Sequence, residues 1–239
     1  MSRAASSASK PGSPKKAAEP KMAEEHHMTL TDKAYADLEE MIVTLQLAPG
    51  EAVSEASLSA KLGIGRTPIR EAVQRLAREK LLVILPQRGI FVSEINVGSQ
   101  LKLLELRREL ERLLARLAAR RVTTDEIAQF KRIASGLEKA SRTNDETTFM
   151  RLDREFNLLV AKAARNEFLT TSMSLTQSLS RRFWYIHYKQ VADMPLAARL
   201  HAEVARAIAN RDDVAAAKAS DALINYIEEF TRATLDAGM

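Results

Sequence analysis

Residues 54–92 change their hydrophobic period three times in quick succession, and few folds accept that order. Ser54 opens a short run, ending at Leu62, in which Leu58 and Leu62 recur at helical spacing; Gly63 closes it. A second run, from about Thr67 to Lys80, carries Pro68 in its first turn and places Ile69, Val73 and Leu76 on one face. Two short apolar runs follow, Leu82–Pro86 and Ile90–Val92, on either side of Gln87-Arg88-Gly89. Runs that short around a glycine-containing turn read as a β-hairpin. Upstream, Thr31 is placed to cap a helix whose apolar face is Leu38, Met41, Ile42 and Leu45, stopped by Pro49-Gly50.

Three helices and a hairpin within about 65 residues have the layout of a winged helix-turn-helix, the expected fold of residues 29–93. In such a motif the second helix enters the DNA major groove, and its N-terminal residues meet base edges and phosphates. Here that helix begins Gly65-Arg66-Thr67-Pro68-Ile69-Arg70. Arg66 and Arg70, four apart, share a face, and Gln74 continues it. Arginine can bond guanine O6 and N7 together, while the Thr67 hydroxyl suits a phosphate or a base edge. Residues 29–92 are neutral overall, with eight basic and eight acidic side chains. Residues 61–90 nevertheless hold seven of the basic groups, including Lys61 and Arg88, against only Glu71 and Glu79. Charge is thus segregated toward the helix and wing that would face DNA. The competing reading is a solvated helix face with ordinary ion pairs.

The sequences Leu47-Ala48-Pro49-Gly50, Ser54-Glu55, Leu62 to Ala72 and Pro86-Gln87-Arg88-Gly89 resemble the winged helix-turn-helix of the GntR family of bacterial transcription regulators. That resemblance implies that Arg66 and Arg70 are the main DNA contacts, with Thr67 supporting them. It also implies that Arg88-Gly89 approach the minor groove from the wing. One position departs: Gly65 stands where such proteins usually carry Ser, which removes a helix cap or a phosphate contact.

Beyond a link near 93–98 the pattern is helical to the end, with helices expected at about 98–121, 124–142, 144–164, 167–190, 195–210 and 213–236. Thr123 or Thr124, Asn144, Asn166 and Asp212 stand at N-cap positions, and Pro195 fits a first turn. Only 5% of residues are aromatic, with 8 Gly and 7 Pro, which disfavours sandwiches and barrels. The fold class is therefore mainly α: a winged helix-turn-helix followed by an antiparallel bundle of about six helices over 98–237. Residues 1–28 are rich in Ser, Ala, Pro and Lys without periodicity and read as a disordered arm. There are no cysteines, which excludes disulfides and thiolate sites, and no run is apolar enough to span a membrane. With no apolar signal core in the arm, a cytoplasmic location is expected.

Several polar groups sit oddly in the bundle. Arg107 occupies an apolar stripe with Leu103, Leu110, Leu114 and Leu117, where a cation either reaches solvent or meets an internal anion. Asp153 and Asn157 share a face with Phe156 and Val160 beside them, and His201 lies among Val204 and Ile208. Each alone suits a hydrogen-bonded core residue; together they suggest a polar cavity. Leu106-Arg107 with Glu111, Leu152 to Phe156, Ala163 to Asn166, and His201 with Asp212 resemble the FCD effector-binding domain of FadR-type GntR regulators. Six helices place the resemblance nearest the VanR-like branch.

Many such domains are implied to hold a divalent metal through an Asp, a His four residues later and two further His. Asp153 and His201 match, but Asn157 and Leu223 replace the other two, so a tightly held metal is not expected. Without it, Arg107, Asp153, Asn157 and His201 become the candidate effector site, and an organic acid is the expected ligand. His187, within the aromatic run Phe183–Tyr188, is either a substitute ligand or bundle core. The function expected is a dimeric repressor of a palindromic operator, not an enzyme, controlled by a small molecule. The alternatives are a metal-dependent hydrolase, for which the ligand set is lacking, and a winged-helix assembly module, against which Arg66 and Arg70 argue.

Overall fold

The computed structural model describes Met1 and residues 28–236; the arm expected over 1–28 lies almost wholly outside them. The first domain comprises α1 (Leu30–Val43), β1 (Ala52–Val53), α2 (Glu55–Leu62), α3 (Arg66–Arg78), β2 (Leu82–Leu85) and β3 (Gly89–Val92). The bundle comprises α4 (Val97–Arg121), α5 (Thr124–Thr143), α6 (Glu146–Ala164), α7 (Glu167–Val191), α8 (Met194–Ala209) and α9 (Asp213–Asp236). The fold is the mainly helical one expected, and the six bundle helices begin and end within about two residues of their expected bounds.

The first domain closes on Ala34, Leu38, Ile42, Leu58, Ile69, Val73, Leu76 and Leu81, all nearly inaccessible. The hairpin pairs β2 with β3 antiparallel, Leu82 opposite Val92 and Leu85 opposite Gly89. Gly89 takes φ +107, a conformation that glycine adopts freely and that closes the turn. A third strand, β1, pairs Ala52 with Phe91 and Val53 with Ile90, giving the order β1-β3-β2. Two residues are too few to show a period, so the sequence carried no signal of it.

Two caps differ from expectation, each by displacement of one or two positions. Thr29, not Thr31, accepts the bond from the Asp32 N–H and opens α1; the Thr31 hydroxyl instead donates to Glu71 on α3 at 2.7 Å. Asp145, not Asn144, caps α6 through the Thr148 N–H, while Asn144 takes the left-handed conformation that ends α5. The first helix also ends at Val43, so Leu45 lies beyond it at φ +62. Likewise α3 ends at Arg78, two residues early, with Lys80 at φ +61.

In the bundle α4 lies along α9 and α6, and α8 is packed between α5 and α9. Phe130, Ile133, Leu137, Ala202 and Ile208 are fully enclosed in its core. The two domains keep separate cores, and α7 joins them: its Leu179 packs against the core of the first domain.

Candidate nucleic-acid interface and bundle cavity

Helix α3 divides cleanly by solvent access. Ile69, Ala72, Val73 and Leu76 are buried, while Arg66, Thr67, Arg70 and Gln74 are exposed along the opposite side. Helix α2, capped by Ser54 and ended by Gly63 at φ +65, supports α3 from behind, and the Ser59 hydroxyl fixes the connecting turn by donating to the Ile64 carbonyl at 2.6 Å. Gly65 is the N-cap of α3 and offers no side-chain bond to its first turn, as its substitution for Ser predicted.

The seven basic groups of residues 61–90 are not equivalent in space. Arg75 turns inward to stack on the Tyr35 ring, 3.6 Å from its centre, and to pair with Glu79. Tyr35 donates to the same Glu79, and burial together with that carboxylate holds the Tyr35 phenol well above its ordinary range, against the opposing pull of Arg75. This knot ties α1 to α3. Arg70 remains outside but lies against Glu55, with Nε 3.2 Å from both carboxylate oxygens. Lys61, Arg66, Arg78, Lys80 and Arg88 are exposed and make no ion pair among the described residues. Arg88 and Gly89 stand at the tip of the hairpin. Exposed cations without ion pairs therefore stand at both ends of α3 and at the wing tip, where a polyanion can reach them.

The odd polar groups of the bundle do converge. Asn157 donates to Asp153 Oδ1 at 3.0 Å, and His201 Nε2 lies 3.0 Å from the same oxygen. His201 Nδ1 meets the Ala197 carbonyl at 2.8 Å. An acceptor at each nitrogen favours the doubly protonated form of the ring. Burial pushes His201 down, but the bond to Asp153 and its charge outweigh that and hold the ring above its usual range. For Asp153 burial raises and His201 lowers, and the net effect is downward. Phe149 and Phe156 meet the imidazole edge-on at 5.5 and 5.7 Å. Arg107 resolves its position in the leucine stripe by the internal route: its Nε donates to Glu111 Oε1 at 2.8 Å, and Nη2 bonds the same oxygen.

Beside these pairs is a cavity of about 20 Å³, room for one water molecule. Glu111, Asn157 and Ser220 are its polar wall; Leu114, Phe156, Val160, Met173, Val204 and Leu223 are among its apolar lining. Asn157 and Leu223, the two positions where the family resemblance called for His, thus face one space. Glu111 belongs to the family pattern but not to the expected site residues; its i,i+4 relation to Arg107 is the signal that marks it. The residues do not suit a transition metal. Asp153 and His201 are bonded to each other, Leu223 offers no donor, and among the described residues no three His, Asp or Glu side chains gather as a ligand set. His187 packs at a tilt on Phe183, 4.6 Å between ring centres, is buried, and is not among the residues lining the cavity. Burial lowers its affinity for a proton. Asn225 is exposed and accepts from Arg108.

Residues 30–92 match the bacterial regulatory proteins of the gntR family, and residues 102–226 match the FCD domain. The chain is a gntR-family regulator with an FCD domain. It is accordingly a DNA-binding transcription regulator and not an enzyme. It is 29% identical over 173 residues to the Nta operon transcriptional regulator of Aminobacter aminovorans, covering 72% of this chain and 80% of that one. It is 26% identical over 203 residues to the HTH-type transcriptional repressor RspR of Escherichia coli, covering 85% and 89%. Among solved structures, E. coli McbR/YncC superposes with a TM-score of 0.74 over 87% of this chain and 99% of that one, at 19% identity, which shows the shared fold. No helix among the described residues is long and apolar enough to cross a membrane.

Proposed function

We propose that this regulator is a cytoplasmic repressor that binds a palindromic operator as a homodimer and responds to a small molecule taken into the bundle. Arg66, Arg70 and Gln74 read bases in the major groove, Thr67 and Lys61 hold phosphates, and Arg88 with Gly89 approaches the neighbouring minor groove. The observation that carries this reading is the exposed, polar outer side of α3, with Arg66 free of ion pairs among the described residues at its N-terminus and Arg88 likewise at the wing tip. Pairing of two copies is supported by Leu106 and Leu113 on α4, seven residues apart on one face and 51% and 41% exposed. The six bundle helices support a place in the VanR-like branch.

For the effector, the site residues are Arg107, Asp153, Asn157 and His201, and the ligand favoured by Arg107, with His201 beside it, is an organic acid. The ion pair with Glu111 uses Nε and Nη2 of Arg107 and leaves Nη1 for a second carboxylate. A second reading rests on the cavity wall itself. Glu111, Asn157 and Ser220 present oxygens, which suit a ligand with hydrogen-bond donors, such as an amine or alcohol. A ligand of either kind must enlarge a space now sized for one water.

The test is release of labelled operator from the full chain by organic acids and amines of matched carbon length. Release by acids and loss of that response in Arg107→Gln supports the first reading. Release by amines and its loss in Glu111→Gln supports the second. No effect of either series on operator binding or on melting temperature would overturn effector control through this cavity.

A further inference from the structure

Three residues of one turn of α7, Leu179, Arg181 and Arg182, hold the DNA-binding domain on the bundle, and Ser180 between them ties α7 to α4. Leu179 packs against the core of that domain. Ser180 accepts a bond at 3.1 Å from Gln100, a buried amide at the start of α4. Arg181 reaches α1, with Nη1 2.9 Å from Glu39 and Nη2 3.2 Å from Glu40. Arg182 reaches the link between wing and bundle, donating to Ser93 Oγ at 2.9 Å and to the Ser93 carbonyl at 2.6 Å.

Arg182 is the unusual member. It is only 1% exposed, makes no ion pair among the described residues and leaves its Nε without a partner among them. Burial lowers its pKa to about 10, which still leaves it charged at neutral pH. A guanidinium buried with no carboxylate in bonding reach, Glu94 acting on it only at longer range, opposes folding unless its bonds secure something in return. What these bonds secure is Ser93, the residue directly after β3. The link between wing and bundle is therefore pinned, and the first domain is held at a fixed angle from two sides, through α1 and through the link.

We propose that Arg181 and Arg182, which lie outside the DNA-binding domain, are specificity-determining residues for the spacing between operator half-sites. Two recognition helices reach two half-sites only at the separation and rotation that the clamp imposes. Changing the spacer by two base pairs moves one half-site by about 7 Å and about 70° around the duplex. A clamped protein refuses that shift; a protein with a loosened clamp follows it. The same helix carries Met173 into the cavity, about 13 Å along its axis from Arg182. A ligand that displaces Met173 thereby acts on the spacing that the clamp sets.

The inference rests on the palindromic-operator reading, and the experiment separates the two. Affinities of the full chain for operators with the natural spacer and with spacers two base pairs longer and shorter are compared by fluorescence anisotropy. The wild type is expected to favour the natural spacer by about tenfold or more. Arg181→Glu, a partly exposed position whose change leaves both cores intact, is expected to cut that preference below about threefold while affinity for a single half-site stays unchanged. Adding Glu39→Arg and Glu40→Arg restores an opposite-charge pair and should restore the preference. Arg182→Met reports the second arm of the clamp in the same way, with its melting temperature recorded beside it. Retention of the full spacer preference in both single variants overturns the clamp. Equal wild-type affinity for a palindrome and a single half-site overturns the operator reading instead.

Discussion

Replacing Arg66, Arg70 and Glu55 one at a time, and then the last two together, tests how the recognition helix is used. Arg66 makes no ion pair among the described residues, so its Ala variant forfeits a whole DNA contact. A base-reading arginine is worth about 5- to 150-fold in specific affinity. Arg70 differs, because Glu55 already neutralises it across 3.2 Å at the surface. To bond a base it must leave or share that carboxylate, and exposed pairs of this kind are worth about fivefold at most in an equilibrium. Arg70→Ala should therefore cost up to about fivefold less than Arg66→Ala. Glu55→Ala should tighten operator binding by up to about fivefold, and only while Arg70 is present. Fluorescence anisotropy with labelled operator between 50 and 200 mM salt reads all four variants, and each lost phosphate contact reduces the salt slope by about one. Equal gains from Glu55→Ala with and without Arg70 would refute competition between carboxylate and DNA. Wild-type affinity in both arginine variants would refute the use of α3 altogether.

Gly65→Ser should stabilise the first domain by about 0.5 kcal/mol, since φ is −59, no atom stands within 4 Å of an added Cβ, and the hydroxyl supplies the missing cap; urea unfolding checks it, and a loss of stability would contradict it. Glu126 accepts from the Thr123 N–H at 2.9 Å and from Arg165 Nη2 at 2.9 and 3.0 Å. Burial raises its pKa, but these bonds outweigh burial and hold it below the ordinary glutamate range. Its contribution is present in full above the unfolded pKa of about 4.3 and is lost as pH falls through the folded value. Glu126→Gln should cost about 1–2 kcal/mol at pH 7 and flatten the decline of stability below about pH 4.3; an unchanged acid slope would contradict the assignment. Asn157→His combined with Leu223→His adds two imidazoles to Asp153 and His201 and should bring zinc uptake to about one equivalent per chain, read by metal analysis and a raised melting temperature. Unchanged uptake would show that the two positions do not converge on one site.

The sequence revealed most where one residue decides the geometry. Gly63, Pro68 and Pro195 marked helix boundaries because their backbone preferences hold in any surroundings. Thr31 and Asn144 misled because each has an equally good capping residue within two positions, and only packing selects between them. The convergence of Asp153, Asn157 and His201 was legible from their shared faces. The i,i+4 spacing of Arg107 and Glu111 permits their pairing, but it does not choose that pairing over solvent, since periodicity gives the face and not the χ angles. Nor was the segregated charge of residues 61–90 a single face, because Arg75 spends its charge on Tyr35 and Glu79, a contact 40 or more residues apart on the α1 side. The clamp on α7 left no local signal at all. Arg181 and Arg182 sit next to an aromatic run, and their partners at 39, 40 and 93 are some 90 or more residues distant.

A hydroxyl-radical footprint on the DNA beside the protein's own gene tests the central claim most directly. Two protected half-sites, about one helical turn apart on one side of the duplex and related by a dyad, are predicted for the wild type. The Arg66→Ala, Arg70→Ala double variant should lose both at unchanged helicity. Protection of the same bases by the double variant would contradict the account.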